Sequence, residues 1–394
     1  MKLKKIIAAC MAGIMLVGLT ACGNNGKKGS DNATATPAVN EENAGETAGY
    51  DFSNVKIGVL GFFQSGETMD AVTAYMDALS KEVGFTYEYV AGSSYDEQTN
   101  ITAAQNLIAS GINGLILCMD NGTEAILEEC ENAGVYLAGY LTDMESSFDK
   151  IKDSKYYLGN VNDGLYDNSS IGEKAAELVI QNNNKKVGVV TFPLNYYPHK
   201  QEAIDAFTAK VNSYNETAAD KIDIYDTQEL MFTQLEDTYF ATYPELDSIF
   251  GLASGFIYPA MVSSGRTDVD LYTTGFKKDD NAAFNNEEIK MFTLSSTEAI
   301  VFPMALLLNE IAGQPYADKP STAERADTSV IFVTNKDEMA TLSEECLFYT
   351  ADVEDAFISP EGFKSYLTVY NDNANYADLK EVLLKMSMEE LSAK

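Results

Sequence analysis

The feature that most constrains this chain is a repeated alternation of short apolar runs with amphipathic segments, beginning at Val55. Val55-Lys56-Ile57-Gly58-Val59-Leu60 is short and almost continuously apolar, which suits a parallel strand buried on both faces. Met69, Val72, Met76, Leu79 and Val83 then recur every three or four residues, marking one face of a helix, and Gly84 supplies a stop. The same reading predicts strands at Thr86 to Val90, Gly114 to Cys118 and Val135 to Ala138. Helices run between them through Ile101, Ala104, Leu107 and Ile108, and through Ile126, Leu127, Cys130 and Ala133. Strand, helix, strand units with short connections imply a parallel sheet with helices on both faces.

The rhythm restarts after Tyr156 to Val161. Helices are expected around Ile171 to Val179 and Ile204 to Val211, with strands at Val187 to Phe192, Ile222 to Tyr225, Ser248 to Leu252, Leu271 to Thr274 and Ile289 to Thr293. Two similar lobes are the economical reading. A long helix from about Thr297 to Ala312 and a strand at Ser329 to Val333 are too few elements for a third domain, so both are expected to return to the first lobe. The expected division is 51–161 plus 294–345 for the N-terminal lobe and 162–293 for the C-terminal lobe. Residues 346–394 form an extension of unassigned lobe, with a last helix near Leu379 to Met388.

The N-terminus adds an address. Lys2, Lys4 and Lys5 precede an apolar run from Ile6 to Leu19, shorter than the roughly 20 residues that cross a bilayer as a helix, so residues 1–21 read as an export signal. The run ends in Leu19-Thr20-Ala21-Cys22, which resembles the lipobox of bacterial lipoproteins, where the Cys22 thiol would accept diacylglycerol. No other stretch is long and apolar enough to span a membrane. Residues 22–50 are small and polar, with Val39 the only branched aliphatic residue, and read as a flexible tether with an end-to-end distance of roughly 30 Å. Gly26-Lys27-Lys28-Gly29-Ser30 lacks the spacing and the preceding strand of a phosphate-binding loop.

Charge and side-chain chemistry exclude several functions. With 27 Lys and Arg against 60 Asp and Glu, the formal net charge is −33, and no broad cationic surface for nucleic acid can be built. Cys118, Cys130 and Cys346 remain after export, an odd number read as buried thiols rather than a disulfide framework. There is no Cys-x-x-Cys and a single histidine, His199, so no zinc motif is legible and no cofactor or metal is expected. A Gly-x-Ser-x-Gly elbow is missing, and any catalytic carboxylate pair chosen among 60 acids would be arbitrary, so no enzyme is read. Asn371, Asn373 and Asn375 lack the glycine and terminal glutamate of a calcium loop and read as a polar turn.

Four stretches carry a family resemblance: Lys56-Ile57-Gly58-Val59, Ala109 to Leu117 (ASGINGLIL), Tyr243 to Phe250 (YPELDSIF) and Thr274-Gly275-Phe276. In this order and spacing the chain resembles the type I solute-binding proteins of bacterial ABC importers, in their ribose-binding-like sugar branch. The resemblance implies an α/β fold of two doubly wound parallel-sheet lobes, a multi-strand hinge, and a ligand cleft between the lobes at the carboxyl ends of the strands. It also implies a monomer that binds a sugar-like solute without nucleic acid and hands it to permease subunits, held at the outer face of the cell membrane by its lipid. Sensing, with docking on a histidine kinase or chemoreceptor, is the alternative.

Carrying the family's pocket over exposes departures. Its turn after the first strand falls on Ser65 to Met69, which includes Thr68, while the aromatics here are Phe62 and Phe63. Its Asp-Arg pair falls on Tyr140-Leu141, its second-lobe Arg on Gln201, and its Asn-Asp pair on Ala253-Ser254. The Asp after Gly-Phe becomes Lys277 and the hinge-side Gln becomes Ser295. Most charged contacts to sugar hydroxyls are therefore replaced. The expected substitutes are rings at Phe63, Tyr140, Tyr196 and Tyr197, hydrogen-bonding groups at Gln64, Asp120, Asn121, Ser254 and Ser295, and cations at His199 and Lys277.

Overall fold

Each apolar run becomes a strand because its neighbours on both sides are equally apolar, and a parallel ladder satisfies the backbone that burial removes from water. The computed structural model describes residues 50–61, 67–92, 96–164, 168–194, 199–231, 233–252, 254–275 and 277–394, which belong to one compact unit. The signal segment, Cys22 and all of the tether before Tyr50 fall outside the described residues.

The first lobe begins with β1 (Lys56–Gly61), β2 (Thr86–Ala91), β3 (Gly114–Leu117), β4 (Tyr136–Tyr140) and β5 (Tyr157–Val161). The second contains β6 (Lys186–Thr191), β7 (Asp223–Ile224), β8 (Gln228–Glu229), β9 (Ser248–Gly251), β10 (Asp270–Thr273) and β11 (Ile289–Ser295). Two late strands, β12 (Arg325–Ala326) and β13 (Val330–Val333), complete two sheets of order β12-β5-β4-β3-β1-β2 and β13-β11-β10-β9-β6-β7, with β8 also on β6. All pairings are parallel except β11 with β13.

The expected return to the first lobe holds for the helix, seen as Val301–Ile311, whose buried side chains join the core of β1, β4 and β5 beside the unanticipated strand β12. It fails for β13. That strand pairs antiparallel with β11, Phe292 opposite Val333 and Ser295 opposite Val330, and so belongs to the second sheet. Its four apolar residues suit either sheet, and the free edge of β11 decides. The expected helix Thr297 to Ala312 is also split: Thr297–Ile300 is a tighter 3₁₀ turn, capped by Ser296, before the α-helix begins at Val301.

The extension packs mainly on the first lobe. Ala356, Ile358, Phe363, Leu367, Tyr376, Leu379, Leu383 and Met386 are buried with the helix Glu67–Val83 and the helix Val301–Ile311. Tyr75 donates its buried hydroxyl to the Ile358 carbonyl at 2.6 Å. The last helix, Met388–Ser392, capped by Ser387, instead sends Leu391 into the second-lobe core. Cys118, Cys130 and Cys346 are free thiols, each pushed up to about 12 by burial. Among the described residues no helix is long and apolar enough to cross a membrane.

Candidate functional site

Three stretches of chain cross between the lobes side by side, and hydrogen bonds tie them together. The Asn162 amide, just after β5, bonds the Ala326 carbonyl at 2.7 Å, and its side chain donates to Asp327 at 2.8 Å. The Thr328 hydroxyl reaches the Asn162 carbonyl at 3.4 Å. Ser295, at the end of β11, donates its hydroxyl to Asp163. Close approach at this point requires a glycine, since a Cβ on Gly164 would stand 2.7 Å from the Ser329 carbonyl oxygen. Beside the hinge, buried Glu298 accepts from Ser296 at 2.6 Å and Thr297 at 3.2 Å. Such a set of adjacent crossings permits rotation of one lobe against the other while holding their separation.

The carboxyl ends of the strands of each sheet point at the other lobe. The amide of Lys278, after β10, donates to Glu67 Oε2 at 3.0 Å, joining the second lobe to the start of the first lobe's leading helix. On the loop after β4, Asp143 and Glu145 come to His199, at the start of the helix Lys200–Thr217, with one ligand atom of each within 4.8 Å of the others. Burial depresses the ammonium of Lys200, the residue after His199, to about 8, partly offset by the charge of Asp163 near the hinge. Burial and the neighbouring Lys200 charge lower His199 to about 3, so its imidazole is neutral at physiological pH.

The loop that carries Asp143 is built under strain. Leu141 and Met144 both have left-handed backbone, φ 51 and 52, a region that side chains with a Cβ avoid. Asp120 holds the turn together, accepting from the Ser146 amide at 2.7 Å, the Ser146 hydroxyl at 2.6 Å, the Thr123 hydroxyl at 2.9 Å and the Ser147 amide at 3.2 Å. Burial works against the Asp120 charge, but the bonds from Ser146, Ser147 and Thr123 outweigh it and hold its pKa below the ordinary value. Asp143 lacks that compensation, and desolvation raises it, opposed by the Glu145 amide and by Arg325. Arg325 itself lies over the Phe148 ring, 4.2 Å from its centre.

Against this geometry the expected residues separate into groups. Phe63, Gln64, Tyr196, Tyr197 and the side chain of Ser254 fall outside the described residues. His199 and Ser295 reach the cleft and the hinge as stated above, and Lys277 is exposed after β10. Thr68 is exposed on the first turn of its helix. Asn121 uses its backbone carbonyl to accept from Asn100 at 3.1 Å. Gln201 is exposed and bonds Asp205 one helical turn on at 2.7 Å. Tyr140 differs most from expectation. Only 4% exposed, its ring packs in the first-lobe core and its hydroxyl donates to the Thr297 carbonyl at 2.8 Å, so it braces the hinge and offers no open face for stacking.

Asp143, Glu145, Asp163, Lys200 and Glu67 were missed by sequence reasoning. Asp143 stands three residues beyond Tyr140, where the family's Asp-Arg pair was aligned, and Lys200 lies between His199 and Gln201. Their strand-end positions were the only available signal. Together they give the first lobe and hinge an acidic face toward the imidazole, ammonium and amide donors of the second. Burial, and then the neighbouring Asp143 charge, push the Glu145 carboxyl up, opposed by Arg325. The site offers acceptors and donors suited to hydroxyl groups of a small polar solute.

Residues 57–315 match a family described as periplasmic binding protein domain. A solute-binding protein of an ABC transporter from Burkholderia graminis C4D1M, in complex with D-arabinose, is similar in structure with a TM-score of 0.57 and 17% identity, over 74% of this chain and 98% of that one. A protein from Mycobacterium smegmatis in complex with β-D-fucofuranose gives 0.58 and 16%, over 73% and 94%. The 5-methylthioribose transporter solute-binding protein of Thermotoga lettingae TMO, with 5-methylthioribose bound, gives 0.55 and 11%, over 84% and 97%. Comparison with curated proteins gives no match. At such identities the solved structures establish the fold, a type I two-lobed α/β architecture, and the match over 57–315 establishes the rest: this chain belongs to the periplasmic binding protein family.

Proposed function

We propose that the protein captures a small solute, a sugar or sugar-like compound, between its lobes and delivers it to the permease of an ABC importer. In this reading it works outside the cytoplasm, tethered through lipid on Cys22, and it binds rather than transforms its ligand. The observation that carries the reading is the meeting of strand ends across a hinge of three crossings, seen in the Lys278 to Glu67 bond and in the approach of Asp143 and Glu145 to His199. Groups from both lobes then contact one solute, and its binding energy draws the lobes together. The sugars bound in the similar solved structures support the solute class.

A thermal-shift screen of pentoses, hexoses, thio sugars and nucleosides on the full chain tests it. A hit should raise the melting temperature progressively as its concentration climbs above its dissociation constant and reduce the radius of gyration in solution scattering. A screen in which no compound of these classes stabilises the protein would reject the sugar reading. For the tether, Cys22→Ser should release the protein from membranes, and unchanged retention would reject lipid attachment.

A further inference from the structure

We propose that Asp143, Glu145 and His199 form a divalent transition-metal site of the zinc type that bridges the two lobes at the cleft. No local spacing encodes it. The two carboxylates stand on the strained loop after β4 in the first lobe, and the imidazole, from the only histidine in the chain, opens a helix of the second. The tertiary structure alone brings one ligand atom of each within 4.8 Å of the others.

The donor set suits the ion. One imidazole nitrogen with two carboxylate oxygens is a borderline set that zinc accepts, whereas calcium and magnesium prefer oxygen alone. Ligands at about 2.1 Å from a tetrahedral centre stand about 3.4 Å apart, so these atoms need to close by little more than an ångström. The three torsions of exposed Glu145 and a small lobe rotation supply that movement. Among the described residues neither carboxylate is held in an ion pair with a lysine or arginine. Asp143 is already oriented, since its Oδ1 accepts the Glu145 amide at 3.0 Å and Asp120 fastens the following turn. The fields of Arg325 and Lys200 weaken the site and make it a reversible one. Because its ligands come from both lobes, an ion there favours the closed arrangement by linkage, independently of which solute the cleft takes.

Calorimetric titration of the full chain with Zn²⁺, paired with visible absorption on Co²⁺, tests the assignment. One ion per chain is expected, with the Co²⁺ bands of a low-coordinate nitrogen and oxygen site and a smaller radius of gyration with Zn²⁺ alone. His199→Asn and Glu145→Gln should each weaken binding at least about ten- to a hundredfold. Both variants are first shown to melt like the wild type in chelator, so a lost site is distinguished from a lost fold. Failure of the wild type to take up Zn²⁺, or equal affinity in both variants, overturns the site. Solute binding measured in chelator tests the proposed function separately, so either can fail without the other.

Discussion

In the second lobe the buried core runs from Ile171 to Leu294, resumes from Val330 to Phe348 after a stretch given to the first lobe, and takes only Leu391 from farther along the chain. The largest core of the first lobe runs from Phe52 to Met386 and skips the whole second lobe on the way. Both lobes are sheets sandwiched by helices, but one is nearly complete by Phe348 while the other waits for the end of the chain. Residues 346–394 lie beyond the stretch that matches the family, yet they cover the first lobe's leading helix and the helix Val301–Ile311. The extension also sits on the seam, since Leu347 is buried in the first core and its neighbour Phe348 in the second. The contrast shows that the first lobe depends for its stability on contacts that close very long loops, with an entropic cost that grows only slowly with loop length.

Removing a fully buried ring from the extension is the most severe test of that contrast. Phe363→Ala should lower the unfolding free energy by about 3–5 kcal/mol in urea titration, as expected for a core aromatic. A loss like that of a surface residue would show that the first lobe does not rely on its late covering. The second lobe has its own sensitive point in the pair of helices Asn168–Gln181 and Lys200–Thr217, where a Cβ on Gly172 would collide with the Ala203 carbonyl. Gly172→Ala should cost about 1–3 kcal/mol by forcing the helices apart, read as a lower urea midpoint. An unchanged midpoint would mean that this helix pair yields more easily than its contact implies.

A smaller effect isolates one link between the extension and the first lobe. Tyr75→Phe removes the hydroxyl that bonds the Ile358 carbonyl and should cost about 1 kcal/mol, measured by thermal unfolding. The last prediction is a slope near the hinge. Lys200 titrates at about 8 when folded and at 10.5 when free, so the folded state releases its proton first and the burden of burying the charge fades as pH rises. Wild-type stability, taken relative to Lys200→Met, should therefore rise between pH 8 and 10.5. A flat difference would show that the ammonium is solvated.

How far the site could be read in advance follows from the same distances. Tyr140 looked like a ligand platform because it ends an apolar strand, but the strand's alternation turns its ring inward onto the helix Val301–Ile311 and its hydroxyl onto Thr297, 157 positions away. Asp120 was expected to meet ligand and instead spends its oxygens on Thr123, Ser146 and Ser147, which is how it sets the loop of Asp143. His199 was legible as a strand-end residue, whereas its approach to Asp143 and Glu145 was not. The expected last helix, Leu379 to Met388, is instead two helices, Tyr376–Leu384 and Met388–Ser392, the second opened by the Ser387 cap.

What the sequence determined by itself is the order and kind of the principal strands and helices, because their periodicities and glycine stops act over a few residues, whereas two-residue strands such as β8 and β12 carry no period to read. Strands β1 to β6 and β9 to β11 begin within one residue of where the apolar runs place them. Only the tertiary structure decided which sheet β13 joins, where the extension lies and which charges meet across the cleft. Those outcomes depend on contacts between residues from about forty to nearly three hundred positions apart, and a run such as Val330-Ile331-Phe332-Val333 is equally apolar whichever sheet receives it.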